Sequence, residues 1–304
     1  MRLKNKIFIL FVITLSSCFE KDIPVEPAPR YNNTVALDAG LSKQDVNYYS
    51  FELDTLLATI DPLTWDISLE DEKLKINGFR SMRVAFFTEN WGVRVDTTKL
   101  EFTYLTVNFE ESIWQLNANQ NYVMDFGYDA NFDNLGFYKF SFSLESNTVK
   151  VHFSSLDDSD FEEIELKKEN FHFSLLNTRH VDVPFEAEYD VALGKYTDFV
   201  IFPDEQTDYL VYGAVLGNAQ AVELKTNFNT ISSESLDTLS FEETSKTSIG
   251  WDWKWYSLSD GAYTIREDRT YVVKAKEDFY YKLRFVDYYR NGVSGHPTLE
   301  YTLL

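Results

Sequence analysis

From Thr34 onward, apolar and polar residues alternate with a period of two in short runs, as in Tyr48–Leu53, Phe140–Leu144, Val149–Phe153, Phe171–Leu175 and Tyr280–Val286. Successive strand side chains point to opposite faces, so this alternation predicts strands with one buried face. Aromatic and β-branched residues fill the runs, and Asn77-Gly78, Asp260-Gly261 and Asn291-Gly292 supply turn signals between them. In the final run, Tyr281, Leu283 and Phe285 share one face, with Lys282 and Arg284 opposite. No window holds an apolar stripe at helical spacing through three turns. The pattern predicts an all-β fold of antiparallel strands.

The pattern also recurs. Tyr48–Thr55 matches Phe171–Thr178 at an offset of 123 residues, and Trp65–Leu69 matches Tyr189–Leu193 at 124. Asn121–Met124 matches Thr270–Val273 at 149, and Tyr138-Lys139 matches Tyr281-Lys282 at 143. Order is kept while the offset grows by about twenty, as an insertion within Ile201–Lys254 would produce. Two similar antiparallel β modules are expected, residues 34–158 and 159–304, meeting near the acidic turn Asp157-Asp158-Ser159-Asp160.

Ahead of the strands lies a different kind of segment. Arg2, Lys4 and Lys6 precede the apolar run Ile7–Ile13, which is too short to span a bilayer and reads as the core of a signal peptide over residues 1–17. Leu15-Ser16-Ser17-Cys18 resembles the lipobox of bacterial lipoproteins, and Cys18 is the only Cys of the chain. Lipidation of Cys18, by a diacylglyceryl thioether and palmitate, is therefore expected; two or more acyl chains make such an anchor stable. Phe19-Glu20-Lys21-Asp22 resembles the surface-export signal of Bacteroidota lipoproteins, which implies an outer-membrane anchor facing the cell exterior. Pro24, Pro27 and Pro29 then stiffen a tether that ends at residue 33.

Charge narrows the partners. The chain carries a formal charge of −21, and loss of Arg2, Lys4 and Lys6 with the leader takes it to −24. Such a surface repels phosphate, which excludes nucleic acid as a partner and leaves the lipid as the only link to a membrane. A single Cys excludes an internal disulfide framework and Cys-rich zinc sites. Asp129-Ala130-Asn131-Phe132-Asp133 opens like a calcium loop, but Asn134 stands where Gly is required and Phe140 where Glu is required, so it reads as a polar turn. No nucleophile elbow and no H-x-x-x-H spacing occurs, and a non-enzymatic binding role is expected.

The second copy resembles the C-terminal module of HmuY-like lipoproteins, the haem-binding surface proteins of Bacteroidota. The residues that carry the resemblance are Glu188–Thr197, Tyr209–Asn218, Ile249-Gly250-Trp251-Asp252-Trp253-Lys254, Tyr271–Val273, and Tyr280–Tyr289 leading into Gly295-His296-Pro297-Thr298-Leu299-Glu300-Tyr301. Trp65-Asp66-Ile67 and Ile76-Asn77-Gly78 carry it in the first copy. It implies an antiparallel β architecture and haem as a possible cofactor, held by axial His or Met.

The candidates for such ligation are His172, His180 and Met124, with His152, His296 and Met82 as the remaining donors. Eight residues separate His172 from His180, roughly 27 Å along a straight strand. They flank one iron only if the chain reverses at Asn177-Thr178, which would set His172 near Val183. His296 in Gly-His-Pro-Thr reads as a surface turn. Two functions follow: capture of haem or another aromatic ligand for a TonB-dependent receptor, or docking on an outer-membrane assembly, transport or secretion complex without haem.

Overall fold

The computed structural model describes residues 32–40, 43–105, 114–201, 206–242, 244–276 and 279–304. The expected signal peptide, Cys18 and all but the end of the tether lie outside the described residues. Residues 32–304 form one compact unit, all-β, with antiparallel pairing throughout and only short 3-10 turns beside the strands.

The described residues form five sheets. One has the order Asn33–Ala36, Val293–Leu303, Tyr280–Arg290, Thr270–Lys274, Gln220–Leu224. A second runs Glu162–Lys167, Thr148–Ser155, Phe137–Leu144, Asn121–Asp125, Arg83–Phe86, Thr103–Tyr104. Two four-stranded sheets follow: Arg179–Val181, Phe171–Ser174, Ile67–Glu70, Lys73–Ile76, and Gln206–Leu216, Val191–Ile201, Val46–Ser50, Thr55–Ile60. The fifth is the hairpin Lys254–Ser257 with Ala262–Ile265. Each of the five runs read from the alternation overlaps a strand. Asn291 and Gly292, both at positive φ, close the tight turn between the two longest C-terminal strands, as a primed hairpin turn requires.

The spans 34–158 and 159–304 do not stand as separate bodies; they interlock. Val46–Ser50 pairs with Val191–Ile201, Phe171–Ser174 pairs with Ile67–Glu70, and Asn33–Ala36 pairs with Val293–Leu303. The repeat reappears in the hydrogen bonds, with the first pair of segments shifted by one residue, from the expected 123 to 124, so that Tyr49 corresponds to Phe173 and not to His172. Asp66 N–H donates to the Phe173 carbonyl at 2.9 Å, and Asp190 N–H to the Tyr49 carbonyl at 3.0 Å. The Asp66 carboxylate accepts from Leu175 N–H at 2.7 Å, and the Asp190 carboxylate from Phe51 N–H at 2.7 Å. Partners in the two sets are displaced by 124 residues throughout. The register Val123–Lys139 likewise recurs as Val272–Lys282. Each half therefore latches a strand end of the other.

The strand Val46–Ser50 is buried on both faces because it lies between two cores. Val46 and Tyr48 pack with Trp65, Phe79 and Tyr189, while Tyr49 and Phe51 pack with Leu283, Phe285 and Tyr301. Val191 and Leu193 join the second core, and Ala192 and Tyr196 the first, by the same alternation. Burying these side chains contributes about 1.5–3 kcal/mol each.

The two Asp latches are not equal. Asp66 also pairs with Arg80, both side chains being about 1% exposed, whereas Asp190 has only backbone and hydroxyl donors. Asp66→Asn strands the Arg80 charge and is expected to cost about 3–5 kcal/mol. Asp190→Asn is expected to cost about 1–3 kcal/mol, the range for an imperfectly satisfied buried group. Urea unfolding of the two variants checks this; equal losses would contradict the asymmetry.

Candidate functional site

The hairpin Val191–Ile201/Gln206–Leu216 is paired in register along its whole length. Its inner half is buried in the two cores. Its outer half sends Val200 and Val211 into the first core and leaves Phe199, Ile201, Tyr209 and Leu210 between 39% and 70% exposed. Gly213 lets a second segment approach this hairpin: a Cβ there would sit 2.5 Å from the Gly250 carbonyl oxygen. That carbonyl accepts from Ala214 N–H at 2.8 Å. Trp253 then anchors the segment, stacked on Phe285 with ring centroids 3.9 Å apart. The hairpin Lys254–Ser257/Ala262–Ile265 follows and turns back at Asp260-Gly261.

Between the two hairpins lies a cleft of about 450 Å³. Val200, Tyr209, Leu210, Val211 and Tyr212 line one wall; Trp251, Trp255, Tyr256, Leu258 and Tyr263 line the other. Trp255 and Tyr256 are nearly half exposed and Leu258 is 91% exposed. Lys254 is the one cation among the described lining residues, and it is buried. Its ammonium donates to the carbonyls of Tyr212 at 2.5 Å and Trp251 at 3.4 Å, tying the walls together. The ring centroids of Trp253 and Tyr288 lie 4.0 and 5.0 Å from Nζ. Burial lowers Lys254 to about 7, with Asp252 pulling the other way. Burial also raises Tyr212 and Tyr263 above the usual phenol range, keeping both protonated.

The residues expected from sequence lie elsewhere. His172 is buried on Phe171–Ser174, against Trp65 and Phe185. Burial lowers it to about 4, so it is neutral, with Nε2 3.7 Å from Glu70. Glu186 beside it is bridged by Lys75 and Lys246, which hold it below the usual range despite its burial. The chain does reverse after His172, but the register pairs His172 with Val181 and His180 with Phe173. Neighbouring positions point to opposite faces, so His172 and His180 stand on opposite sides of their sheet. Met124 and Met82 are buried in the first core. His152 faces Glu163 at 3.2 Å. His296 is not in a turn; it lies within the strand Val293–Leu303, 3.2 Å from Asp38. None of these side chains lines the cleft. Asp129 accepts from the N–H groups of Asn131 and Asp133, closing its own turn.

Sequence reasoning missed the cleft because it sought metal donors. The signal was present: three of the chain's six Trp, at 251, 253 and 255, fall within five residues and enclose a Lys.

A family model described as HmuY protein matches residues 42–301. The chain belongs to the HmuY family. Proteins of the HmuY family are of the haem-binding surface type and are binding proteins, not enzymes. The chain is similar to the solved apo HmuY analog (TFO) of Tannerella forsythia, at 10% identity and a TM-score of 0.36, covering 92% of this chain and 98% of that one. It is similar to apo PinO from Porphyromonas gingivitis at 8% identity and a TM-score of 0.36, covering 90% and 97%. Among curated proteins none matches. In this HmuY-family chain His172 and His180 stand on opposite faces of their sheet and Met82 and Met124 are packed within the first core, so these residues do not fit the clamping of a haem iron between two His or Met.

Lys254 gives the site a pH signature. The unfolded chain holds its proton up to the ordinary 10.5, and the folded chain only to about 7. Between those values the unfolded state binds more protons, so this group makes stability rise with pH; below about 7 its full cost is present and constant. Urea midpoints at pH 7, 8.5 and 10 are expected to climb less steeply in Lys254→Met than in the parent. An unchanged slope would contradict the lowered value.

Proposed function

We propose that the chain is a non-enzymatic lipoprotein, anchored through Cys18 in the outer membrane and facing the exterior, that captures a flat aromatic ligand of the haem type in the cleft between the two hairpins. The observation that supports this reading is the cleft itself. An acidic, soluble-surfaced protein leaves Tyr209, Trp255, Tyr256, Leu258 and Tyr263 exposed around one concavity, with a buried cation at its base. Exposed aromatic surface on a rigid concave frame is favourable only when something covers it. Stacking on a conjugated ring suits these side chains, which bury about 150–250 Å² each. The exposed Leu258 and Ile201, one on each hairpin, would meet a TonB-dependent receptor that takes the ligand on.

Haemin titration of the chain, followed by Soret absorbance and Trp fluorescence, tests the reading. Saturation at one equivalent is expected, with affinity about tenfold or more weaker in Trp255→Ala/Tyr256→Ala, the loss of one stacking contact being worth ~1.4 kcal/mol. His172→Ala and His180→Ala are expected to bind haemin as the parent does. No saturable binding, or binding indifferent to the cleft substitutions, would overturn it. The anchor is checked separately: Cys18→Ala is expected to lose incorporation of labelled palmitate and to leave the membrane fraction, and retention of both would refute lipidation.

A further inference from the structure

The geometry points to a cleft that recognises the plane and an acidic substituent of its ligand and leaves any metal at the ligand's centre unligated; its ligands are planar aromatic carboxylates, metal-free tetrapyrroles included. This inference rests on the cleft being the binding site, as proposed above, and adds what the cleft reads. Three observations carry it.

The first is the donor set. Haem iron in proteins is held by imidazole, thiolate, thioether or phenolate. No His, Met or Cys lines the cleft among the described residues. Tyr212 is the phenol set deep in it and Tyr263 is partly exposed, and the apolar and tyrosine-rich surroundings that keep both protonated also make them poor anionic ligands. Tyr209 and Tyr256 stand at the rim, about half exposed.

The second is the charge. Lys254 is the single cation among the described residues of the cleft, in a protein of net charge −21. An ammonium has three donors, and two are taken by the carbonyls of Tyr212 and Trp251. The one remaining donor suits a carboxylate, whose approach favours the charged form that burial alone disfavours. A neutral ring would meet this group only through a cation–π contact, as Trp253 and Tyr288 already do.

The third is shape. The two walls are hairpins held together at one end by the Gly250 carbonyl and the Lys254 ammonium and open at the other. Indole and phenol faces on opposing walls suit insertion of a flat ligand edge-first, its acidic edge toward Lys254 and its far edge in solvent.

The test compares haemin, metal-free protoporphyrin IX and protoporphyrin dimethyl ester, by quenching of Trp fluorescence at pH 6.5. Haemin and protoporphyrin are expected to bind within about threefold of each other, and the ester about tenfold or more weaker. Lys254→Met is expected to erase the preference for acid over ester, and Lys254→Arg to keep it; circular dichroism identifies a variant that has not folded, in which case the acid-to-ester ratio of the parent and the Arg variant decides. Haemin binding more than tenfold tighter than protoporphyrin would overturn the inference and leave the proposed function standing. Acid and ester binding alike would overturn the role of Lys254. Binding by none of the three would bring down both the inference and the proposed function.

Discussion

Two buried carboxylates hold the fold together. Asp66 and Asp190 each follow an aromatic residue at a strand start, and each accepts a backbone N–H from the strand end that enters from the other half of the chain. A carboxylate removed from water is tolerated only where hydrogen-bond donors meet it, so each Asp fixes where that strand must end. With the ends fixed, Val46–Ser50 lies beside Val191–Ile201 and Phe171–Ser174 beside Ile67–Glu70. The strand between the two cores then receives apolar side chains on both faces. Neither half can complete its sheets alone.

The functional surface follows from this arrangement. With its inner half clamped against Val46–Ser50, the hairpin Val191–Ile201/Gln206–Leu216 carries its outer half to an exposed edge, where Val200 and Val211 still reach the first core. The corresponding hairpin of the first half, Ile67–Glu70/Lys73–Ile76, is short and stays within the fold. The extra length on one side of an otherwise matched pair supplies one wall of the cleft. Lys254 joins that wall to the other, and the close approach at Gly213 is what lets it reach.

Much of the fold was legible in the sequence. Period-two alternation located strands such as Phe140–Leu144 and Tyr280–Val286, and the repeat offsets of 124, 149 and 143 mark residues that occupy equivalent registers, while the offset of 123 is one residue short. The exchange of strands between halves was not legible, because alternation states which face a side chain takes and not which strand lies beside it. The expected turn at His296 failed for a related reason: Gly295 and Pro297 read as turn residues, yet both are accommodated within a long strand, Gly295 at positive φ. For the site, the histidines drew attention by their chemistry, but register places His172 and His180 on opposite faces. The cluster Trp251-Asp252-Trp253-Lys254-Trp255-Tyr256 carried the information, split between side chains that build the core and side chains that are left exposed. Only burial separates the two.

The central claim is that ligand enters between the two hairpins. Amide hydrogen exchange on the full chain, with and without saturating haemin, reads this residue by residue. The account predicts slowed exchange confined to 206–212 and 251–265. Protection centred on 171–181, or on the acidic cavity of about 570 Å³ lined by Glu52, Asp182 and Glu188, would contradict it.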